Sequence, residues 1–353
     1  MKIKKENLPI YIGFIVFAIL ALFLMLQGNP KNMGICTACF IRDTAGALGL
    51  HSAAAVQYFR PEVFGFIIGA FILSMIKKDF KSTGTSNYAT NFILGFIMMI
   101  GSLIFLGCPL RMTLRLGAGD LNALVGFFGF VGGVGVGSLF VKKGYSLSKQ
   151  VESAPSEKYA TISIVIILTL VALLIPAAFL ASTEGPGSMH APFIVSLVVA
   201  IIIGAMAYQT KICFSGTFKN VFLFKDYTYL IGYALFLIVL VIGNMAIGNF
   251  HLSFADQPVA HTDSFYNFGG LFLVGFSSVL ALGCPLRQCI KAGTGNTDAF
   301  MVILGLFMGA AFAHNFSTAS SGTGVGANGP IAFWISLVVL FIIAFLNLKK
   351  KEN

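Results

Sequence analysis

The sequence predicts an all-α polytopic membrane protein with about ten transmembrane helices in two inverted, pseudosymmetric repeats that include short re-entrant helices. Composition gives the class. Hydrophobic residues make up 57% and charged residues 10% of 353 positions, so a soluble globule of this size would lack the polar surface it needs. The repeat is visible as the hexapeptide Leu-Gly-Cys-Pro-Leu-Arg, which occurs at 106–111 and again at 282–287, each time where a long apolar run ends.

The apolar runs are the first elements to justify. Most are near the length that spans a bilayer as a helix, and they are continuously apolar, which does not fit the alternating strands of a β-barrel. The first run lacks a small-residue cleavage site, so we expect it to remain as a helix. The predicted spans are 8–27, 61–76, 88–106, 120–141, 158–180, 191–208, 227–249, 268–282, 297–316 and 331–347.

The formal charge of +10 follows from lysines at the ends of these spans. The connections 182–190, 249–268 and 317–330 contain no Lys or Arg, which is the asymmetry of the positive-inside rule. The charge therefore indicates topology and not a nucleic-acid partner, and it predicts that both termini are cytoplasmic. The basic groups are Lys2, Lys4 and Lys5; Lys77, Lys78 and Lys81; Lys142, Lys143, Lys149 and Lys158; and Lys349 to Lys351.

The chain is internally duplicated. Aligning 106–123 with 282–299 gives nine identities in eighteen positions, and a weaker match pairs Cys36 with Cys213, each followed six residues later by a cation. A single extra span between the halves would invert the second half relative to the first, as in secondary transporters. The expected organisation is a first repeat at 1–141, a cytoplasmic linker and extra span at 142–190, a second repeat at 191–320, and a terminal span with a basic tail at 321–353.

The duplicated motif predicts a broken helix. Proline disfavours helix in the residue before it and suits the first position of a new one, so short helices should start at Pro109 and Pro285. Each motif cysteine then lies at a helix N-terminus, where unpaired N–H groups and the helix dipole favour an anion and a reactive thiol. The short helices should run only to the glycine pairs near 117 and 293.

Cations at the same depth support an anion site. The short helices carry two each, spaced four residues apart, so that each pair shares one face. Four such charges cost on the order of 10 kcal/mol in a membrane, so they must face water, protein or substrate. The alternative is that they snorkel or seal the bundle near its boundary. The four are Arg111, Arg115, Arg287 and Lys291.

Cys36 and Cys39 form a Cys-x-x-Cys pair. A redox motif or half of a metal site are the usual interpretations, but no βαβ context and no second ligand pair accompany it. A substrate-contacting thiol fits better, with an inert packed cysteine as the alternative, and packing is the default for Cys289. The histidines are scattered without metal-ligand spacing, and no nucleotide or catalytic fingerprint is present, so we predict no metal, no cofactor and no enzyme.

The chain resembles the YeeE/YedE family of bacterial inner-membrane transporters over nearly its whole length, and within that family the selenium-associated YedE branch. The resemblance is carried by GNPKNMGICTACFIRDTAGALGL at 28–50, by both LGCPLR motifs and by KICFSGTFKN at 211–220. It implies an hourglass-shaped protein whose best-understood relatives pass thiosulfate along thiols at the waist. By motif those thiols would be Cys108, Cys284 and one in the first short element, where Cys39 beside Cys36 leaves the choice open.

The sequence therefore predicts an uptake transporter in the bacterial inner membrane for a small sulfur- or selenium-containing anion, the resemblance favouring selenium. A thiosulfate carrier is the nearest alternative, and a membrane thiol-disulfide oxidoreductase is the alternative from another class. Channel, coupled carrier and handover to a cytoplasmic sulfurtransferase all remain open. The predicted substrate-binding residues are Cys36, Cys39, Cys108, Arg111, Arg115, Cys213, Cys284, Arg287 and Lys291.

Overall fold

The computed structural model describes residues 5–85, 87–147, 151–152 and 155–348. The predicted basic residues Lys2, Lys4, Lys149 and Lys349 to Lys351 lie outside these ranges. The helices are α1 Leu8–Leu26, α2 Thr37–Ala47, α3 Pro61–Ile76, α4 Tyr88–Phe105, α5 Pro109–Gly117, α6 Leu121–Lys142, α7 Pro155–Leu174, α8 Phe193–Thr210, α9 Phe214–Phe224, α10 Thr228–Ala246, α11 Ser264–Leu280, α12 Pro285–Gly293, α13 Thr297–Asn315 and α14 Gly329–Leu346.

Non-helical structure is minor in the described ranges. The strands Thr83–Gly84 and Val151–Glu152 pair antiparallel, and short 3-10 turns lie at Lys5–Asn7, Ala54–Val56 and Pro176–Ala178. Nine helical segments of the described chain are long and apolar enough to cross a membrane. The predicted all-α polytopic membrane fold is therefore confirmed.

The extra span is shorter than predicted. We expected helix from 158 to 180, whereas α7 runs from Pro155 to Leu174 and is followed by the 3-10 turn at Pro176–Ala178. Proline disfavours helical geometry in the residue before it, which explains why the apolar run outlasts the helix. The other predicted spans agree with the observed helices to within a few residues.

The two halves pack on each other reciprocally. If α1 to α6 are matched in order with α8 to α13, the contact of α4 with α13 has its counterpart in α11 with α6, and α3 with α8 has its counterpart in α10 with α1. By the same matching, the contact of α12 with α3 corresponds to that of α5 with α10. The contact of α13 with α2 corresponds to that of α6 with α9. Such reciprocity is what a two-fold relation between duplicated units requires.

Glycines allow the long helices to approach closely. A Cβ at Gly95 would lie 2.1 Å from the carbonyl oxygen of Val302, and one at Gly305 would lie 2.1 Å from that of Phe92. The backbones of α4 and α13 are therefore in direct contact, as small residues permit in membrane bundles. The glycine runs in α6 and α13 are therefore packing features.

Both long helices break where the motif predicts. α4 is followed by Leu106 with φ 65° and α11 by Ala281 and then Leu282 with φ 58°, a left-handed conformation that is costly for a residue with a Cβ. The short helices α5 and α12 then begin at the prolines of the two motifs. A strained residue kept at the same place in both halves shows that the break is part of the fold.

Connections define two faces of the bundle. The basic face carries the connection at 77–87 and the end of α6: Thr83 pairs with Glu152, and Tyr145 pairs with Leu348. The distal face is formed by 182–190, 249–263 and 317–328; there Ser253 pairs with Asp120 at the start of α6. α5 ends beside the 249–263 connection, whereas the loop after α12 pairs with the 77–87 connection. The two short motif helices thus end at opposite faces.

Candidate functional site

Two buried thiols meet in the first half of the chain. Cys36 is the N-cap residue of α2 and Cys108 is the N-cap residue of α5. Their sulfur atoms lie 3.7 Å apart. The N-termini of two short helices, contributed by segments more than seventy residues apart, therefore converge on one thiol pair.

Backbone amides surround this pair. The N–H of Cys39 donates to the Cys36 sulfur at 3.3 Å, and the backbone amides of Ala38 and Arg111 lie close to the sulfur of Cys108. These are first-turn amides, which have no partner within their own helices. Together with two dipole ends they form an electropositive pocket around soft sulfur atoms.

The second half repeats the arrangement. Cys213 caps α9 and Cys284 caps α12, and their sulfur atoms lie 3.8 Å apart. The N–H of Gly216 and the hydroxyl of Ser215 each lie 3.3 Å from the Cys213 sulfur. The structure thus brings four of the five predicted thiols together as two equivalent pairs, one in each half.

The remaining cysteines are placed differently. Cys39 lies in the first turn of α2, where its sulfur is 3.7 Å from a terminal nitrogen of Arg111. Cys289 is buried in the apolar core, as predicted for a packing residue. All six cysteines are free thiols. Cys36, and not Cys39, contacts the motif cysteine.

Carboxylates neutralise most of the buried arginines in the first half. Asp43 accepts from Arg42 at 2.6 Å and from Arg60 at 2.8 Å, and all three side chains are nearly inaccessible to solvent. Arg115 is paired with Asp120 at 2.6 Å and also donates to a carbonyl, that of Phe105, at 2.9 Å. Arg115, which the sequence placed among the substrate-binding residues, is thus held by protein groups through two of its nitrogens, while its NH2 nitrogen is buried with no hydrogen-bond partner.

Arg111 bonds the carbonyls of the helix break. It donates to the oxygen of Leu106, to that of Asn32 at 3.2 Å, and to that of Val259 at 3.0 Å. Leu106 is the left-handed residue that ends α4, so its carbonyl has lost its helical partner. Arg111 is fully buried and contacts both Cys39 and these oxygens.

A glutamine takes over this carbonyl bonding in the second half. Gln288 donates to the oxygens of Ala281 at 2.8 Å and Gly283 at 3.1 Å, at the end of α11. Arg287 is the counterpart of Arg111, and its NH1 nitrogen is buried with no hydrogen-bond partner. Lys291, the counterpart of Arg115, has no carboxylate within ion-pair distance in the described part of the chain.

A cavity of about 200 Å³ opens beside the second thiol pair. Its lining combines cations, amide and hydroxyl groups and one sulfur: Lys211, Cys213, Gly216, Lys219, Asn220, Tyr229, Leu282 and Arg287. No carboxylate is among these lining residues: Asp79, which lies near Lys211, accepts from the hydroxyl of Tyr208 at 2.6 Å, and Asp226 accepts from the amide of Thr228 at 2.9 Å. The cavity is therefore strongly basic.

Three histidines add no charge to the distal face. His51 and His261 are buried in its connections and His190 stacks on the ring of Tyr58, and desolvation lowers the pKa of each imidazole below its usual range. All three are then neutral at pH 7. In the described residues no group of three or more His, Cys, Asp or Glu side chains is placed to share a metal ion.

Sequence reasoning missed several of these residues. Asp43, Asp120 and Gln288 decide which cations are neutralised, and Lys211 and Tyr229 line the cavity. The alignment of the two halves contained a signal for these residues. At the offset of the duplicated motif, Asp120 aligns with Asn296 and Met112 aligns with Gln288. A change of chemistry between duplicated positions marks where the two halves differ in role.

The fold and the site define a polytopic membrane protein in which broken helices hold paired thiols and amide donors inside the bundle. The family model described as Sulphur transport, that of the YeeE/YedE family, matches residues 209–349. The match agrees with the family resemblance over these residues, which include α9 to α14, the second thiol pair and the basic cavity, and it does not distinguish the selenium branch. No curated protein matches the chain. Residues 209–349 are therefore similar to the sulfur-transport domain of a membrane transporter family.

Proposed function

We propose that this protein is an uptake transporter that passes a small sulfur- or selenium-containing anion along the two thiol pairs. The observation that carries the proposal is the duplicated geometry: each half brings two N-cap cysteines to within 3.7 or 3.8 Å where two short helices begin. One pair belongs to the half whose short motif helix ends at the distal face, and the other belongs to the half whose helix ends at the basic face.

The pairs suit an anion on physical grounds. A small anion that leaves water needs donors in place of its hydration shell, and first-turn amides at converging helix ends supply them. A thiol is a weak donor and a polarizable contact, so it holds a sulfur or selenium atom without trapping it. Conduction requires sites that bind weakly enough to release, and two successive pairs meet that requirement.

The oxidoreductase alternative has less support. A Cys-x-x-Cys redox site works through its own two sulfurs, whereas here the Cys36 sulfur accepts the amide of Cys39 and faces Cys108. The sulfur of Cys39 faces Arg111. Cys36 therefore acts with the motif cysteine of another helix, an arrangement that favours a pathway through the bundle.

The proposal includes an orientation and a cargo. With the basic face in the cytoplasm, both termini are cytoplasmic in a bacterial inner membrane, and the repeats occupy 1–141 and 191–320, separated by 142–190 and followed by 321–353. Selenium compounds and thiosulfate share the required chemistry, a soft chalcogen on a small anion. The partners are then the lipid bilayer, that anion and a cytoplasmic acceptor of the sulfurtransferase type.

Uptake into proteoliposomes tests the proposal. Radiolabelled thiosulfate is offered to vesicles that contain the purified protein, with unlabelled selenite, thiosulfate or sulfate as competitors. We expect saturable uptake that selenite and thiosulfate reduce strongly and sulfate reduces weakly, because thiosulfate presents a terminal sulfur and selenite a selenium lone pair, whereas sulfate presents only oxygens. Uptake no faster than in protein-free vesicles, for both labelled thiosulfate and labelled selenite, would refute it.

A further inference from the structure

We infer that the cavity at the basic face is an anion-binding site in its own right, where Lys219, Arg287 and Cys213 hold the chalcogen anion at one end of the pathway. Lys211 and Tyr229 complete the site. The inference deepens the proposed function, on which the nature of the anion rests. It assigns a binding role to Lys211, Lys219 and Tyr229, none of which is among the predicted substrate-binding residues.

The cavity has the size and chemistry of a small-anion site. Its volume of about 200 Å³ exceeds that of one water molecule several-fold, so it can hold a hydrated oxyanion. Three cationic side chains and the Cys213 sulfur line it. Because Cys213 lies 3.8 Å from Cys284, an anion in the cavity is next to the second thiol pair.

The duplication shows that the positive charge of this site is not incidental. Lys219 is the counterpart of Arg42, and the residue after it is Asn220 where the first half has Asp43. Asp43 neutralises two buried arginines in the first half, whereas Asn220 carries no charge and lines the cavity. One acid-to-amide difference therefore leaves Lys219 without the counterion that its equivalent has.

A second difference of the same kind lies next to the first. Arg115 pairs with Asp120 at 2.6 Å, and at the equivalent positions the second half has Lys291 and Asn296. Asn296 instead caps α13, accepting from the amide of Ala299 at 2.9 Å. Both counterions of the first half are thus amides in the second, and the carboxylate that returns at Asp298, where the first half has Asn122, accepts from the amide and hydroxyl of Thr85.

Gln288 accounts for the free arginine. In the first half, Arg111 must bond the carbonyls of the broken helix, while in the second half Gln288 donates to the carbonyls at the end of α11. Arg287 is released from that role, and its NH1 nitrogen is buried without a protein partner while the side chain lines the cavity. A buried guanidinium nitrogen without a partner is costly, and a bound anion would satisfy it.

The consequence is a directional electrostatic field. Ion pairs neutralise most cations near the first thiol pair, whereas Lys211, Lys219, Arg287 and Lys291 have no ion pair in the described chain. An anion that reaches the second pair is drawn toward the basic face. Since Lys211 is partly exposed, salt should weaken binding there.

Binding to the purified protein tests the site without transport. Thiosulfate is titrated into detergent-solubilised protein at fixed ionic strength, and the Kd is measured by calorimetry. The variant Asn220→Asp gives Lys219 the counterion that Arg42 has, and it changes no side-chain volume appreciably. We expect Asn220→Asp and Lys219→Gln each to raise the Kd about tenfold, as removal of one effective charge near a partly buried ion requires.

Lys225→Gln is the matched control. Lys225 caps the other end of α9 and is exposed outside the cavity, so its removal changes the net charge equally but should leave the Kd within about twofold. If Asn220→Asp and Lys219→Gln bind thiosulfate as tightly as Lys225→Gln, with unchanged melting temperatures, the inference is wrong even if transport stands. If the wild type binds thiosulfate and the variants change its Kd as expected, but proteoliposomes take up no anion, the binding site stands and the transport proposal fails.

Discussion

Arg111 and Arg287 occupy the same position of the duplicated motif, yet the structure assigns them different tasks. Arg111 is fully buried and donates to the carbonyl oxygens of Leu106, Asn32 and Val259. Arg287 has a buried terminal nitrogen without a partner and lines the basic cavity. We therefore predict that Arg111→Gln mainly loses stability and Arg287→Gln mainly loses affinity.

The magnitudes follow from the groups left unpaired. The glutamine amide has two N–H donors and a shorter reach, so Arg111→Gln leaves about two buried carbonyls unsatisfied at about 1–3 kcal/mol each, or roughly 3 kcal/mol of the free energy of unfolding. Arg287→Gln removes a charge that no protein group compensates, so its cost should be under about 1 kcal/mol. Its half-saturating substrate concentration should instead rise about tenfold.

Thermal unfolding and uptake, measured on the same preparations, separate the two effects. Arg111→Gln should melt several degrees lower, with uptake reduced in proportion to the folded protein that remains. Arg287→Gln should melt near the wild type, and thiosulfate should stabilise it less. Equal melting temperatures with equal losses of affinity in both variants would show that both arginines read the anion, and a large loss of stability in Arg287→Gln would show that both hold the scaffold.

Three further predictions concern the thiols, the topology and an ion pair. Cys108→Ala and Cys284→Ala should each remove most thiosulfate uptake at near-normal abundance, while Cys289→Ala should be mild; equal losses in all three would favour packing roles. In a background without native thiols, Lys143→Cys should react with a membrane-impermeant maleimide only after the cells are opened, and reaction in intact cells would contradict the orientation. Asp120→Asn leaves Arg115 buried without its counterion and should cost about 3–5 kcal/mol; an unchanged melting temperature would show that this pair contributes nothing.

Much of the architecture could be predicted because it depends on local chemistry. Prolines mark the first residues of α5 and α12, and glycine pairs mark their ends, so both short helices were predictable to within a residue. The same locality misled us at α7, where an apolar run continues past the helix that Pro176 ends. Hydrophobicity indicates which residues lie in the membrane, whereas proline indicates where a helix ends. Between Leu174 and residue 180 the chain stays apolar although the helix has ended.

The contacts between side chains were harder to predict from the sequence, because they join segments that are far apart in the chain. Spacing alone suggested that Arg111 faces the anion, whereas Val259 and Asn32, from distant connections, supply the carbonyls that it bonds. The sequence also left open which of Cys36 and Cys39 belongs to the pathway, whereas the structure places the sulfur of Cys36 beside that of Cys108. The substitution of Asn220 for Asp43 was visible in the alignment, but its meaning required the geometry of the ion pairs.

The central claim is that the anion crosses the bundle by way of both thiol pairs. Its most direct test is uptake of radiolabelled thiosulfate into proteoliposomes that contain either the wild type or the double variant Cys108→Ala with Cys284→Ala, at matched amounts of folded protein. We predict saturable uptake by the wild type and uptake by the double variant that falls to the level of protein-free vesicles. Saturable uptake by the double variant at a rate near that of the wild type would contradict the claim, because the anion would then cross without either motif cysteine.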